Sequence, residues 1–259
     1  MIRFEKYHGT GNDFILIQPQ PLDSSLLAKR LCDRHFGIGA DGIMIPHPSE
    51  IADIKMEYIN SDGTPAPMCG NGLRCFVRYC LNHGLLAKGP LTVETLAGII
   101  DVEAQDEAIS LNLGRPILDL SSDYVIDNHE VIIDGMTLHT LFLGTLHAVI
   151  IVDDTIDIHS FGEKLSYHPR FPQAINVNFV KVIDRETIRV TTHERGAGWT
   201  LSCGTGSAAS AYVTRLLDLT EDEVTVIVAG GELRVDCKED VILTGPAIKI
   251  ASGIFEGGL

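Results

Sequence analysis

Cys69-Gly70-Asn71-Gly72 and Cys203-Gly204-Thr205-Gly206 are one four-residue pattern written twice, 134 residues apart, and each copy runs into a segment of helical character. The match extends outward on both sides. Asn60-Ser61-Asp62-Gly63 follows an alternating apolar stretch, as does Glu194-Arg195-Gly196-Ala197, again 134 residues later. Ala97-Gly98 corresponds to Gly230-Gly231 and Gly9-Thr10 to Gly144-Thr145, at offsets of 133 and 135. Four matches in nearly one register indicate an internal duplication.

A duplicated chain is expected to fold as two similar α/β units, with the break in the turn-rich stretch Gly114-Arg115-Pro116. Pseudo-twofold symmetry would then bring equivalent residues toward one interface, a usual place for a small-molecule site. Alternation and β-branched content predict strands at Phe14–Ile17, Gly42–Pro46, Ile54–Ile59, Leu91–Glu94 and Ile99–Val102. Ser24–Asp33 reads as a helix, with Asp23 as its cap and Leu26, Leu27 and Leu31 near helical spacing.

Composition narrows the function. With 35 acidic against 20 basic residues, the formal charge is −15, and no run of Lys or Arg offers a track for phosphates. Nucleic acid is not an expected partner. The first residues lack an apolar signal core and the longest apolar run, Ala148–Val152, is too short to span a bilayer, so a cytoplasmic protein is expected. In that setting the six cysteines should remain thiols, and none forms a Cys-x-x-Cys pair. No metal is expected.

The Cys-Gly-x-Gly pattern has its own chemistry. Glycines let the backbone bend closely around a ligand and expose the unpaired N–H groups of the helix that follows. Such a nest receives a carboxylate. The same partial positive charge favours a thiolate: lowering a thiol pKa from about 8.5 by roughly 1.5 units, worth about 2 kcal/mol, ionises half of it at neutral pH. A single copy is equally well read as a tight turn before a core helix; two copies in register favour function. Removing an α-proton from an amino acid and returning one on the other face needs a base and an acid, and two thiols supply both symmetrically.

Four blocks carry a family resemblance: 8–14 (HGTGNDF), 34–42 (RHFGIGADG), 68–75 (MCGNGLRC), and Glu194-Arg195-Gly196-Ala197-Gly198 leading to Cys203-Gly204-Thr205-Gly206. In this order they resemble the diaminopimelate epimerases over essentially the whole chain. The resemblance implies an α/β (α+β) fold of two homologous domains, 1–113 plus 252–259 and 114–251, each a curved, mainly antiparallel sheet or barrel around a central helix. The site would lie in the cleft between them. It also implies a small amino-acid substrate, no pyridoxal phosphate or other cofactor, and allows a homodimer. Carried over residue by residue, Cys69 and Cys203 become the acid/base pair, and Gly70, Asn71, Gly204 and Thr205 hold the reacting carboxylate. Asn12, Asn60 and Asn176 become substrate contacts, Arg195 grips a carboxylate, and Glu194 and His147 bracket the ammonium or tune the thiols. Without the family, His147 reads as a core or turn histidine.

Three positions depart from the family pattern. Thr145-Leu146 stands where Asn-Pro is usual, Trp199 where Glu is common, and Gly42 where some members carry Gln. These touch the choice of substrate more than the chemistry, so racemisation of another amino acid by the same thiols is the nearest rival. A non-catalytic binding relative, or an isomerase of the phenazine pathway, would not require both cysteines. Gly37-Ile38-Gly39-Ala40-Asp41-Gly42 satisfies a dinucleotide pattern, but a helix precedes it and a strand follows, the reverse of what that pattern needs.

Overall fold

In Ile54–Asn60 buried and half-exposed residues alternate, and in Glu223–Val228 they alternate again; each stretch has the period of a strand with one face in a core. A computed structural model describes residues 1–106, 108–125 and 130–257. They form two units, Met1–Leu111 with Gly245–Leu259, and Asn112–Thr244.

The first unit runs β1 (Ile2–Gly9), β2 (Asn12–Ile17), α1 (Ser24–Cys32), β3 (Gly42–His47), β4 (Ile54–Asn60), α2 (Gly70–Asn82), β5 (Gly89–Thr95), β6 (Gly98–Ala104) and β7 (Ile109–Asn112). The second runs β8 (Glu130–Ile133), β9 (Met136–Leu143), β10 (Thr145–Ile151), α3 (Gly162–Ser166), β11 (Asn176–Asp184), β12 (Thr187–Glu194), β13 (Gly198–Thr200), α4 (Gly204–Leu216), β14 (Glu223–Val228), β15 (Gly231–Asp236) and β16 (Ile242–Gly245). The chain then returns to the first unit as β17 (Ile248–Phe255).

Strand pairing repeats the duplication. In the first unit β17–β1 and β1–β2 are antiparallel, β2–β3 parallel, β3–β4 antiparallel, β4–β5 parallel, and β5–β6–β7 antiparallel. In the second, β8–β9 and β9–β10 are antiparallel, β10–β11 parallel, β11–β12 antiparallel, β12–β14 parallel, and β14–β15–β16 antiparallel. A parallel neighbour needs a crossover, and each of the four parallel steps carries a helix there: α1, α2, α3 and α4. The C-terminal return begins at Gly245 rather than at 252, and the break falls after Leu111 rather than after 113. The early return follows from β17, which pairs with β1 along its length, from Ile2↔Phe255 to His8↔Ile248.

Helices α2 and α4 have equal lengths of 13 residues and are buried on more than one face. A surface helix would keep a polar stripe; one enclosed by sheet does not. Helix α2 packs on β1, β2 and β3, and α4 on β9, β10, β11, β12, β14 and β15. Helix α1 starts where its cap predicts, the Asp23 carboxylate accepting from the Leu26 N–H at 2.9 Å, and buries Leu27, Ala28 and Leu31 against the strands. Among the described residues no helix is long and apolar enough to cross a membrane.

Candidate active site

Both cysteines of the repeated pattern are N-caps. Cys69 precedes α2 and Cys203 precedes α4, each in extended backbone, and neither side chain caps its helix by a hydrogen bond. Their sulfurs are left to other work at the positive end of a helix dipole. Burial pushes the other four thiols, Cys32, Cys75, Cys80 and Cys237, up to about 12.

In the first unit the Cys69 thiol donates to Asn12 Oδ1 at 3.4 Å. Asn12 is delivered there by a two-residue turn, Thr10-Gly11, whose φ values of 49° and 90° are both positive, the kind of turn that suits tightly joined antiparallel strands. The Asn12 amide is oriented from behind, donating to Asp41 Oδ2. Arg34 bridges Asp41 and Asp13 at 2.8 Å each, and Lys6 pairs with Asp13 at 2.8 Å. Burial opposes ionisation of Asp13, but hydrogen bonds from Arg34 and Lys6 outweigh it and hold the carboxyl below its usual range. Asn60, at the end of β4, donates to Thr64 Oγ1 at 3.1 Å. Gly70 and Asn71 are buried in the first turn of α2.

The side chain beneath that turn was not assigned a role from the sequence, although it lies inside the motif. Arg74 is 0% exposed, and its recorded partners are three neutral acceptors: Asn71 Oδ1 at 2.9 Å, Pro246 O at 3.2 Å and Gly70 O at 3.4 Å. It fixes Asn71, whose Oδ1 also accepts from Thr10 Oγ1 at 3.4 Å. A buried guanidinium among carbonyls places positive charge under the Cys69 loop, and burial lowers its own pKa. Arg74→Met keeps the length but leaves three acceptors without their donor. Thermal unfolding should show a loss of about 2–5 kcal/mol, from about 1–3 kcal/mol per stranded buried group with partial relaxation. A variant as stable as the parent would show that these bonds do not hold the loop.

In the second unit Cys203 is buried, with its sulfur 3.7 Å from Thr205 Oγ1, and Gly204 is buried beside it. Glu194 closes β12 and accepts from Thr200 Oγ1 at 2.7 Å. Asn176 opens β11 opposite His147 of β10, and its Oδ1 takes the Arg195 backbone N–H at 3.0 Å. The Arg195 guanidinium donates from Nη1 to Gln173 O at 3.0 Å and Ala174 O at 3.5 Å, and from Nη2 to Thr145 Oγ1 at 2.9 Å. Thr145, the first departure from the family pattern, thus braces Arg195. His147 is fully buried, and burial, with Arg195 second, pushes it down to about 3, so the imidazole is neutral. Within this unit the structure brings together Asn176, His147, Thr145 and Arg195; within the first it brings together Cys69, Asn12 and, through Arg74, Asn71.

The other departures have plain packing roles. Trp199 stacks near His193, His159 and Phe179 at ring distances of 5.2, 4.7 and 5.8 Å and joins an apolar cluster of the second unit. It lies so close to Gly162 that a Cβ there would sit 2.4 Å from the indole. At Gly42 a Cβ would come within 2.6 Å of Ile59 O and of the Tyr58 ring, so Gln at this position requires both the Tyr58 ring and the backbone at Ile59 to move.

Solved structures share this frame. A phenazine biosynthesis protein of Bacillus anthracis superposes with a TM-score of 0.70 at 17% identity, covering 97% of this chain and 98% of that one. A probable proline racemase of Agrobacterium radiobacter superposes with a TM-score of 0.69 at 15% identity, covering 98% and 93%. Such identities establish the fold alone: the chain shares the fold of these two proteins. Sequence goes further. The diaminopimelate epimerase profile matches residues 4–118 and 140–250. A diaminopimelate epimerase of Alkaliphilus metalliredigens is 40% identical over 280 residues, covering 100% of this chain and 99% of the relative. One of Caldanaerobacter subterraneus is 42% identical, covering 98% and 100%. The chain belongs to the diaminopimelate epimerase family.

Proposed function

We propose that this protein is a cytoplasmic enzyme that interconverts LL- and meso-diaminopimelate, for lysine and cell-wall precursor supply, with Cys69 and Cys203 as the two acid/base groups. The observation that carries the reading is the pair of thiols, each at the N-terminus of one of two equivalent buried helices, in a chain about 40% identical to named diaminopimelate epimerases over its whole length.

In one direction a thiolate takes the α-proton: the C–H bond breaks, an S–H bond forms, and the electron pair stays with the α-carbon and its carboxylate. The thiol of the other cysteine then gives its proton to the opposite face and is left as thiolate. Inversion requires the two sulfurs to address opposite faces of one carbon. The carboxylate, which gains charge as the proton leaves, is received by the first-turn N–H groups of 70–71 and 204–205, where helix dipoles favour negative charge. Asn12, Asn60, Asn176 and Arg195 hold the polar remainder of the substrate, and Glu194 and His147 flank the reacting centre. Proton removal by one sulfur and delivery by the other needs no pyridoxal phosphate.

Purified reduced protein incubated with LL-diaminopimelate, and separately with single-centre amino acids such as proline and glutamate, is read by chiral chromatography. Conversion of the LL isomer to meso with no inversion of the others is the expected result. Inversion of a single-centre amino acid with diaminopimelate untouched would replace this substrate and leave the two-thiol chemistry in place.

A further inference from the structure

The two units share one framework, and the residues beneath their central helices differ in kind. In the first unit a Cβ on Gly72 would meet Met44 Cε at 1.9 Å and Phe14 Cζ at 3.2 Å; Met44 faces Tyr58 across β3–β4. At the corresponding place in the second unit, a Cβ on Gly206 would meet Asn178 Oδ1 at 2.2 Å and Cys203 Sγ at 3.2 Å; Asn178 faces Thr192 across β11–β12. Phe14, paired with Gly42, corresponds to His147, paired with Asn176. Phe14, Met44 and Tyr58 are therefore replaced by His147, Asn178 and Thr192, so that a thioether and two aromatic rings give way to an amide, an imidazole and a small hydroxyl. The first unit shows that this framework closes without an amide or an imidazole here, and burying those groups carries a desolvation cost.

The hydrogen bonds of the polar trio leave one arrangement. Asn178 Nδ2 lies 3.1 Å from Ala148 O, and a carbonyl only accepts, so that end of the amide is the NH₂. Its oxygen then takes the Thr192 hydroxyl at 3.0 Å. The second amide hydrogen is 3.2 Å (N to N) from His147 Nδ1, which must receive it with a lone pair. A neutral imidazole with a lone pair on Nδ1 carries its hydrogen on Nε2. That Nε2 is buried and has no hydrogen-bond partner within the described protein.

We propose that Asn178, oriented by Thr192 and Ala148 O, is a positioning residue that locks His147 in the Nε2–H form, so that the ring offers one buried hydrogen-bond donor to an acceptor atom of the ligand. The His147 ring in this form is a donor and not the proton-transferring base. An unpaired buried N–H is destabilising, and a ligand oxygen that accepts from it recovers that cost on binding. The consequence for turnover rests on the reading under Proposed function; the tautomer does not.

The test is nitrogen-15 spectroscopy of the full chain labelled at histidine, with His147→Gln to assign the ring, at neutral pH and without substrate. The expected signature is a pyrrole-type Nε2 and a pyridine-type Nδ1. In Asn178→Asp the carboxylate can only accept, so Nδ1 should become protonated. Asn178→Met places the first unit's residue here but strands the Thr192 hydroxyl, Ala148 O and His147 Nδ1, so it should lower the melting temperature and, at temperatures where the variant is folded, lower kcat on diaminopimelate about 10–100-fold with KM moving less. A wild-type ring protonated at Nδ1, or a signature unchanged in Asn178→Asp, overturns the assignment. Wild-type kcat in Asn178→Met would remove the tautomer from catalysis. Absence of activity on diaminopimelate in the wild type, with the ring signature as expected, would fault the substrate and not the tautomer.

Discussion

Replacing either Cys69 or Cys203 by alanine should lower kcat for epimerisation at least about a thousandfold, from the usual worth of a positioned acid or base. Each variant loses the donor or the acceptor for one face of the α-carbon, so net inversion stops in both directions. The fold should survive. Neither cysteine side chain caps its helix through a hydrogen bond, and alanine leaves the backbone of both first turns as it is. A melting temperature within a few degrees of the parent, with inversion lost, is therefore expected. Near-parental inversion by either variant would remove that thiol from the mechanism.

Arg195→Lys is the next largest expected effect. The guanidinium is held from three sides by Gln173 O, Ala174 O and Thr145 Oγ1, which fixes its plane and leaves the rest of its donors to meet a carboxylate as a fork. An ammonium keeps the charge and loses both the bracing and the second bond. At about 1.5–3 kcal/mol for a charge-assisted hydrogen bond, KM for diaminopimelate should rise roughly 10–100-fold while kcat changes less. Steady-state kinetics decides it: an unchanged KM would mean that Arg195 does not anchor the substrate.

Much of this architecture could be read from local pattern. All five strands expected in the first unit are present, each longer by a residue or two at one or both ends, and the Asp23 cap starts α1 as its type demands. The repeat offset of 134 connects Gly72 with Gly206, and pairing shows the same offset between Met44↔Tyr58 and Asn178↔Thr192. What local pattern could not supply is long-range. The pairing of β17 with β1 joins residues more than two hundred positions apart and moves the C-terminal boundary of the first unit. Arg74 stands inside a motif and Asn178 two residues after Asn176, yet an arginine there reads as solvated until its burial is known, and an asparagine in a strand has no partner until the neighbouring strand is in place. Trp199 was ambiguous for the same reason: only the aromatic neighbours and Gly162 make it a packing residue.

The two-thiol mechanism rests on a single property: a thiol holds one transferable proton, and the one delivered to the product comes from solvent, not from the substrate. In D₂O, with purified reduced protein and LL-diaminopimelate, product and unreacted substrate are separated by chiral chromatography early in the reaction and weighed by mass spectrometry. Product molecules should carry deuterium at the inverted carbon from the first turnover, while recovered substrate still carries protium. Substantial protium in the initial product would mean that one group serves both faces, and Cys69 and Cys203 would not be an acid/base pair.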